Sequence, residues 1–184
     1  MGFNGKTNMF KARIKYSKNY PAVLIGHLDI IYSLQRSMRM ALWPLKYTCG
    51  YNPRVKMSST PPLSLGFSSD CEYIDVALLQ SLESFHFDMV SRKTMEGIEI
   101  ISVKVIDHED ISVNDRLLGM RYLIKYPGIE CMLDRDVENI IESGTDYVIA
   151  DVLKKNGCFS NPLKKVSGID RSKCDVRKIG CIWN

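Results

Sequence analysis

From Phe10 to Tyr16 apolar and polar residues alternate with a period of two. Phe10, Ala12, Ile14 and Tyr16 share one side; Lys11, Arg13 and Lys15 share the other. This is the pattern of a half-buried strand, and its outward row is entirely cationic. After a loop through Ser17, Tyr20 and Pro21 the period lengthens and predicts a helix from about His27 to Trp43. Leu28, Ile31, Leu34 or Gln35, Met38 and Leu42 recur at three- and four-residue spacing as a buried face. Asp29, Tyr32, Arg36 and Arg39 fall on the neighbouring face. Asp29 in the first turn and Arg39 near the end both suit the helix dipole, and Pro44 stops the helix.

Further along, Lys46 to Thr48 reads as a short strand, and the Pro- and Gly-rich stretch from Cys49 to Gly66 limits regular structure. Glu72 to Leu79 predicts a strand, Leu82 to Met95 a helix and Ile98 to Ile106 a strand. The order is β-α-β-β-α-β, the signature of a ferredoxin-like unit. Leu117 to Tyr126 then predicts a strand, Asp134 to Ser143 a helix capped by Asp134, Asp146 to Leu153 a strand, and Val176 to Trp183 a strand closing the sheet. The expected architecture is α+β: a disordered lead-in over 1–9, a ferredoxin-like unit over 10–108, and over 109–184 a second α+β half, a degenerate ferredoxin-like copy packed on the first. The polar N-terminus lacks the apolar core of a secretory signal. No run approaches the roughly 18 apolar residues of a membrane span, so a cytoplasmic, non-membrane protein is expected.

Composition changes this picture little: 45% hydrophobic and 25% charged residues in 184 are ordinary for a chain that buries a core. Charge placement changes it more. By count from the sequence, residues 1–60 carry ten Lys/Arg against one acid, 61–153 seven against eighteen, and 154–184 eight against two. The segments either pair with one another in the fold or build a basic face for an anionic partner. Six cysteines stand without a CxxC pair, which reads as reduced structural thiols, with no metal and no cofactor expected.

The residues that offer chemistry lie between Gly26 and Gly66. His27 and Asp29 open the first helix; His27 is a general acid–base with Asp29 or Arg54 in support, a ligand, or a histidine bonded to local backbone. The loop Tyr51-Asn52-Pro53-Arg54-Val55-Lys56 follows that helix. Arg54 and Lys56 match phosphate, Tyr51 offers a stacking face and Asn52 reads a base edge or caps a turn. With Lys11, Arg13, Lys15, Arg36 and Arg39 they form the candidate nucleic-acid-binding set. His86 and His108 read as surface or satisfied residues, and Asp107 to Asp110 as an exposed acidic loop. No Walker loop, GxGxxG, HExxH or nucleophile elbow is present.

The run KARIKYSK, followed by GHLDIIYSLQRSMRMALWPLKYTCGYNPRVKMSSTPPLSLGFSSDCEYIDVAL, resembles the radical SAM-linked family of domains of unknown function. The matching positions are His27, Leu28 and Asp29; Gly50, Asn52, Pro53, Arg54 and Lys56; Leu65 and Gly66; and Glu72, Tyr73, Asp75 and Val76. Gly26, Tyr51 and Val55 depart from the family's Ser, Phe and Pro. The resemblance implies a radical SAM enzyme as partner, in RNA or ribosome-related modification. It does not imply radical chemistry by this chain, which lacks the three-cysteine cluster motif. Three functions follow as expectations: an RNA-binding accessory module, a protein-binding adaptor using the acidic middle segment, or an RNA-processing or RNA-modifying enzyme built on His27.

Overall fold

The computed structural model describes residues 10–107, 109–129, 139–165 and 170–184. The expected lead-in, the Asp134 cap and His108 lie outside them. Strand β1 (Phe10–Lys18) realises the alternation, with Ala12, Ile14 and Tyr16 buried on one face. It pairs antiparallel with β3 (Ser68–Leu78) and with β4 (Ile98–Asp107). The short β2 (Met57–Ser59) pairs antiparallel with the other edge of β3. Helix α1 (His27–Met40) follows β1 and α2 (Ser84–Ser91) follows β3, so these strands lie in the order β4-β1-β3-β2.

After the short α3 (Val113–Arg116), β5 (Leu117–Lys125), β6 (Ile140–Gly144), β7 (Tyr147–Leu153) and β8 (Asp175–Trp183) lie in the order β8-β5-β7-β6, again antiparallel. The first, second, third and fourth strands of each set therefore occupy equivalent places. The sets join into one eight-stranded sheet through two parallel register pairs, Ser68 with Arg177 and Ser69 with Lys178. β8 was expected to close the sheet; it lies inside it, between β3 and β5.

Two cores form. In the first, Ile30, Leu34, Met38 and Ala41 of the α1 region pack on Ile14, Tyr16, Ile74 and Val76 of the sheet. Leu28 and Leu42, expected in that face, are 65% and 73% exposed. The helix carries two overlapping apolar stripes, and the one ending at Met38 and Ala41 faces the sheet, while Ser37 donates to the Lys93 carbonyl just after α2 at 2.7 Å. The helix ends at Met40 rather than Trp43 because Leu42 takes a left-handed φ of 57°, which lets the Trp43 N–H bond back to Met38.

The second core contains Met120, Tyr122, Ile124, Val148 and Val176, and it receives Leu63 and Phe67 from the loop ahead of β3. The Pro-Pro-Leu-Ser-Leu-Gly-Phe stretch is thus a strap from the first strand set into the second. Other expectations change locally. Lys46 to Thr48 forms no strand, only isolated bridges at Leu45 and Tyr47. Ile140–Gly144 is a strand, not the end of a helix: it pairs with β7 through a two-residue Thr145-Asp146 hairpin. Among the described residues no helix is long and apolar enough to cross a membrane.

Candidate functional site

The bulge between the Tyr16 and Lys18 pairings re-aims the start of β3. Glu72, in phase with the buried Ile74 and Val76, is 2% exposed and lies near enough to His27 at the start of α1 to act on its charge. Its carboxylate accepts from Ser69 Oγ at 2.7 Å, Thr60 Oγ1 at 3.0 Å and Lys178 Nζ at 3.0 Å. Lys178, from β8, is fully buried. Burial alone disfavours its charge, but the Glu72 carboxylate together with Cys181 and Cys71 outweighs that cost and holds the ammonium above its ordinary range. One buried ion pair therefore ties the two strand sets together beside their two-residue parallel seam.

Lys18, also 2% exposed, donates to the Ile25 carbonyl at 3.3 Å just ahead of α1. Burial pulls its pKa down, and Glu72 partly restores it. His27 opens α1 behind Gly26, which supplies no side-chain cap, and its Nε2 lies 3.3 Å from Ser59 Oγ. Burial lowers the His27 pKa; Glu72 opposes this, and Lys18 and Lys178 add to it. The imidazole is therefore held neutral at neutral pH and can accept a proton or a hydrogen bond.

His27, Ser59 and Thr60 form one wall of a cleft of about 810 Å³ between the two strand sets. The strap contributes Pro61, Pro62, Ser64 and Phe67, and the sheet contributes Met120 and Tyr122. The opposite wall is the segment from Gly157 to Pro162, with Asn114 beside it. That segment leaves a tight hairpin in which Asn156 and Gly157 both have positive φ, closed by reciprocal Lys155–Cys158 backbone bonds of 2.9 and 3.0 Å. Among the described residues no Asp, Glu, Lys or Arg lines the cleft.

The seam also carries two thiols. Cys71 and Cys181 stand 4.0 Å apart, and Cys181 Sγ approaches the Cys71 carbonyl at 3.4 Å. Their contact pushes Cys71 up and Cys181 down from the usual thiol range. Among the described residues no group of three or more His, Cys, Asp or Glu is placed to hold a metal ion.

The sequence-derived candidates separate into three sets. His27 is in the cleft; Asp29 is exposed in the first turn of α1 and does not line it. Arg36, Arg39, Tyr51, Asn52, Arg54 and Lys56 are all exposed, Tyr51 completely so. The Tyr51–Lys56 loop does not converge on His27: Lys56 pairs with Lys46 and Ala77 at the start of β2, while His27 meets Ser59 at its end. Two residues of the outward row of β1 are engaged within the fold. Arg13 is held bidentately by Asp75 at 2.8 and 2.9 Å, Lys11 donates to the Asp110 carbonyl at 2.6 Å, and Lys15 is half-buried. The partners of Arg13 and Lys11, Asp75 and the loop after β4, are remote in the chain and so were not legible beside that row.

Sequence reasoning missed Lys18, Glu72 and Lys178 as a cluster. A signal was present: each stands in the inward phase of its strand, in step with Tyr16, Ile74 and Val176 respectively. A charged residue at an inward position has to find a partner there.

No curated protein matches the chain at a significant level. A family model matches residues 11–177, spanning β1, the strap, the Glu72 and His27 positions and the opposite wall of the cleft. The chain thus belongs to the family described as an uncharacterized protein conserved in bacteria, DUF2344.

Proposed function

We propose that this protein is a non-catalytic RNA-binding accessory module that works with a radical SAM enzyme in RNA or ribosome-related modification. The observation that carries the reading is the surface on the second half of α1 and the loop after it. Arg36, Arg39, Arg54 and Lys56 are exposed there together with Tyr51 and Asn52, and none of the four cations joins an ion pair among the described residues. The Gln35–Met57 contact of 2.9 Å sets the middle of α1 against the start of β2, so Arg39 and Lys56 flank one junction. Cations beside an exposed aromatic suit a single strand, whose phosphates need charge and whose bases need a flat face.

The strand orders β4-β1-β3-β2 and β8-β5-β7-β6 support reading each set as a ferredoxin-like unit, the second degenerate. The radical SAM partner rests on the sequence resemblance alone. A cytoplasmic location accords with both partners.

The test is affinity for a fluorescent single-stranded RNA measured against salt. Four phosphate contacts give a slope of log K against log salt of about −3, from roughly −0.7 per contact. Replacing Arg54 and Lys56 together by Ala should reduce that slope by about half. Absence of binding at low salt overturns the reading, and protein partners that survive nuclease treatment would favour an adaptor. Turnover of the bound RNA that disappears in His27→Ala would make the protein an RNA-processing enzyme instead.

A further inference from the structure

We infer that the cleft between the two strand sets receives a single unstacked nucleobase; the inference rests on the RNA reading and names what that RNA inserts. The first argument is what the lining lacks. A phosphate site needs cations or a fork of donors, and among the described residues no charged side chain lines this cleft. Of the charges beside it, Glu72 and Lys178 are paired with each other, Glu72 also accepts from Thr60 and Ser69, and Lys154 donates to the Asn114 carbonyl. This lining suits an uncharged group better than a phosphate.

The second argument is what the lining offers. Ser59, Ser64 and Ser160 supply hydroxyls, Asn114 and Asn161 supply amides, and His27 supplies a neutral ring. These groups can act as donors or acceptors, as the mixed edge of a base requires. Between them stand apolar surfaces, including Phe67, Met120 and Phe159. Phe159 is pre-positioned as a stacking platform. The tight hairpin at Asn156-Gly157 fixes its backbone, and Lys154 Nζ lies 5.9 Å from its ring centroid while also donating to the Asn114 carbonyl at 3.2 Å. A volume of about 810 Å³ is in the range of small-molecule sites and leaves room for the attached ribose at the mouth.

The third argument is continuity. β2 runs from the cationic loop directly into the cleft wall, so Lys56 and Ser59 are about 10 Å apart along an extended strand. An RNA strand whose phosphates follow Arg54 and Lys56 arrives at the cleft with its next base free to turn in.

The experiment compares a single-stranded RNA oligomer with the same oligomer carrying abasic positions, by fluorescence anisotropy on the full-length protein. The wild type should bind the intact oligomer about 10-fold or more tightly, as expected for one stacked base. Phe159→Ala should erase that ratio and leave the salt slope unchanged; the Arg54→Ala/Lys56→Ala double variant should do the reverse. Because Phe159 is half-buried, Ser64→Trp serves as a second probe: it fills the cleft from an exposed loop position and should erase the ratio equally. Equal affinity for intact and abasic oligomers, or a ratio unmoved by both cleft variants, overturns the base site while leaving the RNA reading intact. If no oligomer binds at low salt, the RNA reading fails alone, and saturation-transfer NMR with adenosine, guanosine, cytidine and uridine decides the cleft. Transfer lost in Ser64→Trp upholds the site, and transfer to none of the four nucleosides overturns it.

Discussion

The same ion pair occurs in both strand sets, in two settings. Arg13 on β1 meets Asp75 on β3, and Arg121 on β5 meets Asp151 on β7, each directly across an antiparallel register and each bidentate. The short segments Ile74-Asp75-Val76 and Ala150-Asp151-Val152 that hold the acids are alike as well. Burial separates them. The side chains of Arg13 and Asp75 are 15% and 3% exposed, whereas those of Arg121 and Asp151 are 41% and 10%. The segment running into α3 makes the difference: Val113 N–H donates to Asp75 at 3.0 Å, and Arg13 donates to the Ile111 carbonyl at 2.9 Å. A cross-strand pair repeated by the topology becomes an anchor only where a neighbouring segment covers it.

This contrast is open to direct attack. Asp75→Ala strands a largely buried guanidinium and an inward-facing N–H, and should cost about 3–5 kcal/mol in urea unfolding. Asp151→Ala leaves Arg121 free to turn to water and should cost about 1 kcal/mol or less. Equal losses would mean that the cover over the first pair contributes nothing.

The next effect lies at the seam. Lys178→Met leaves Glu72 buried with only the Thr60 and Ser69 hydroxyls, and should destabilise the protein by about 3 kcal/mol. Adding Glu72→Gln should recover much of that loss, because the stranded charge is then removed as well. A double variant no better than the single would show that Lys178 acts by filling space rather than by pairing.

The parts of this architecture legible from sequence are those with a strong apolar pattern. β1 announced itself through alternation, β3, β4, β5 and β7 as short runs rich in apolar residues, and α1 through its period. The helix phase was misread because Leu28 and Leu42 fit an apolar stripe as well as Ile30 and Ala41 do, and only the sheet chooses between them. β2 is three residues long, and β6 is an edge strand with Glu142 and Ser143 in it, so neither leaves a strong pattern. His27 was legible as a candidate from its place at a helix start. Its surroundings were not, because Lys18, Glu72 and Lys178 are spread over the length of the chain and each looks like an ordinary charge until its strand phase is considered.

The smallest expected effect tests that surrounding. The folded state holds the His27 pKa below the ordinary 6.5, through burial and the nearby Lys18 and Lys178, with Glu72 in opposition. As pH falls through 6.5 the unfolded chain takes up a proton that the native protein refuses, so stability present at higher pH is lost until the folded pKa is reached. One such group cannot give a slope steeper than about 1.4 kcal/mol per pH unit. The measurement is unfolding free energy from pH 8 down to about pH 5 for wild type and His27→Gln. The difference between the curves should be flat above 6.5 and should shift in favour of the variant below it. A shift towards wild type would mean that Glu72 prevails over burial and the two lysines, and that His27 meets its ligand as a cation rather than as the neutral ring the cleft requires.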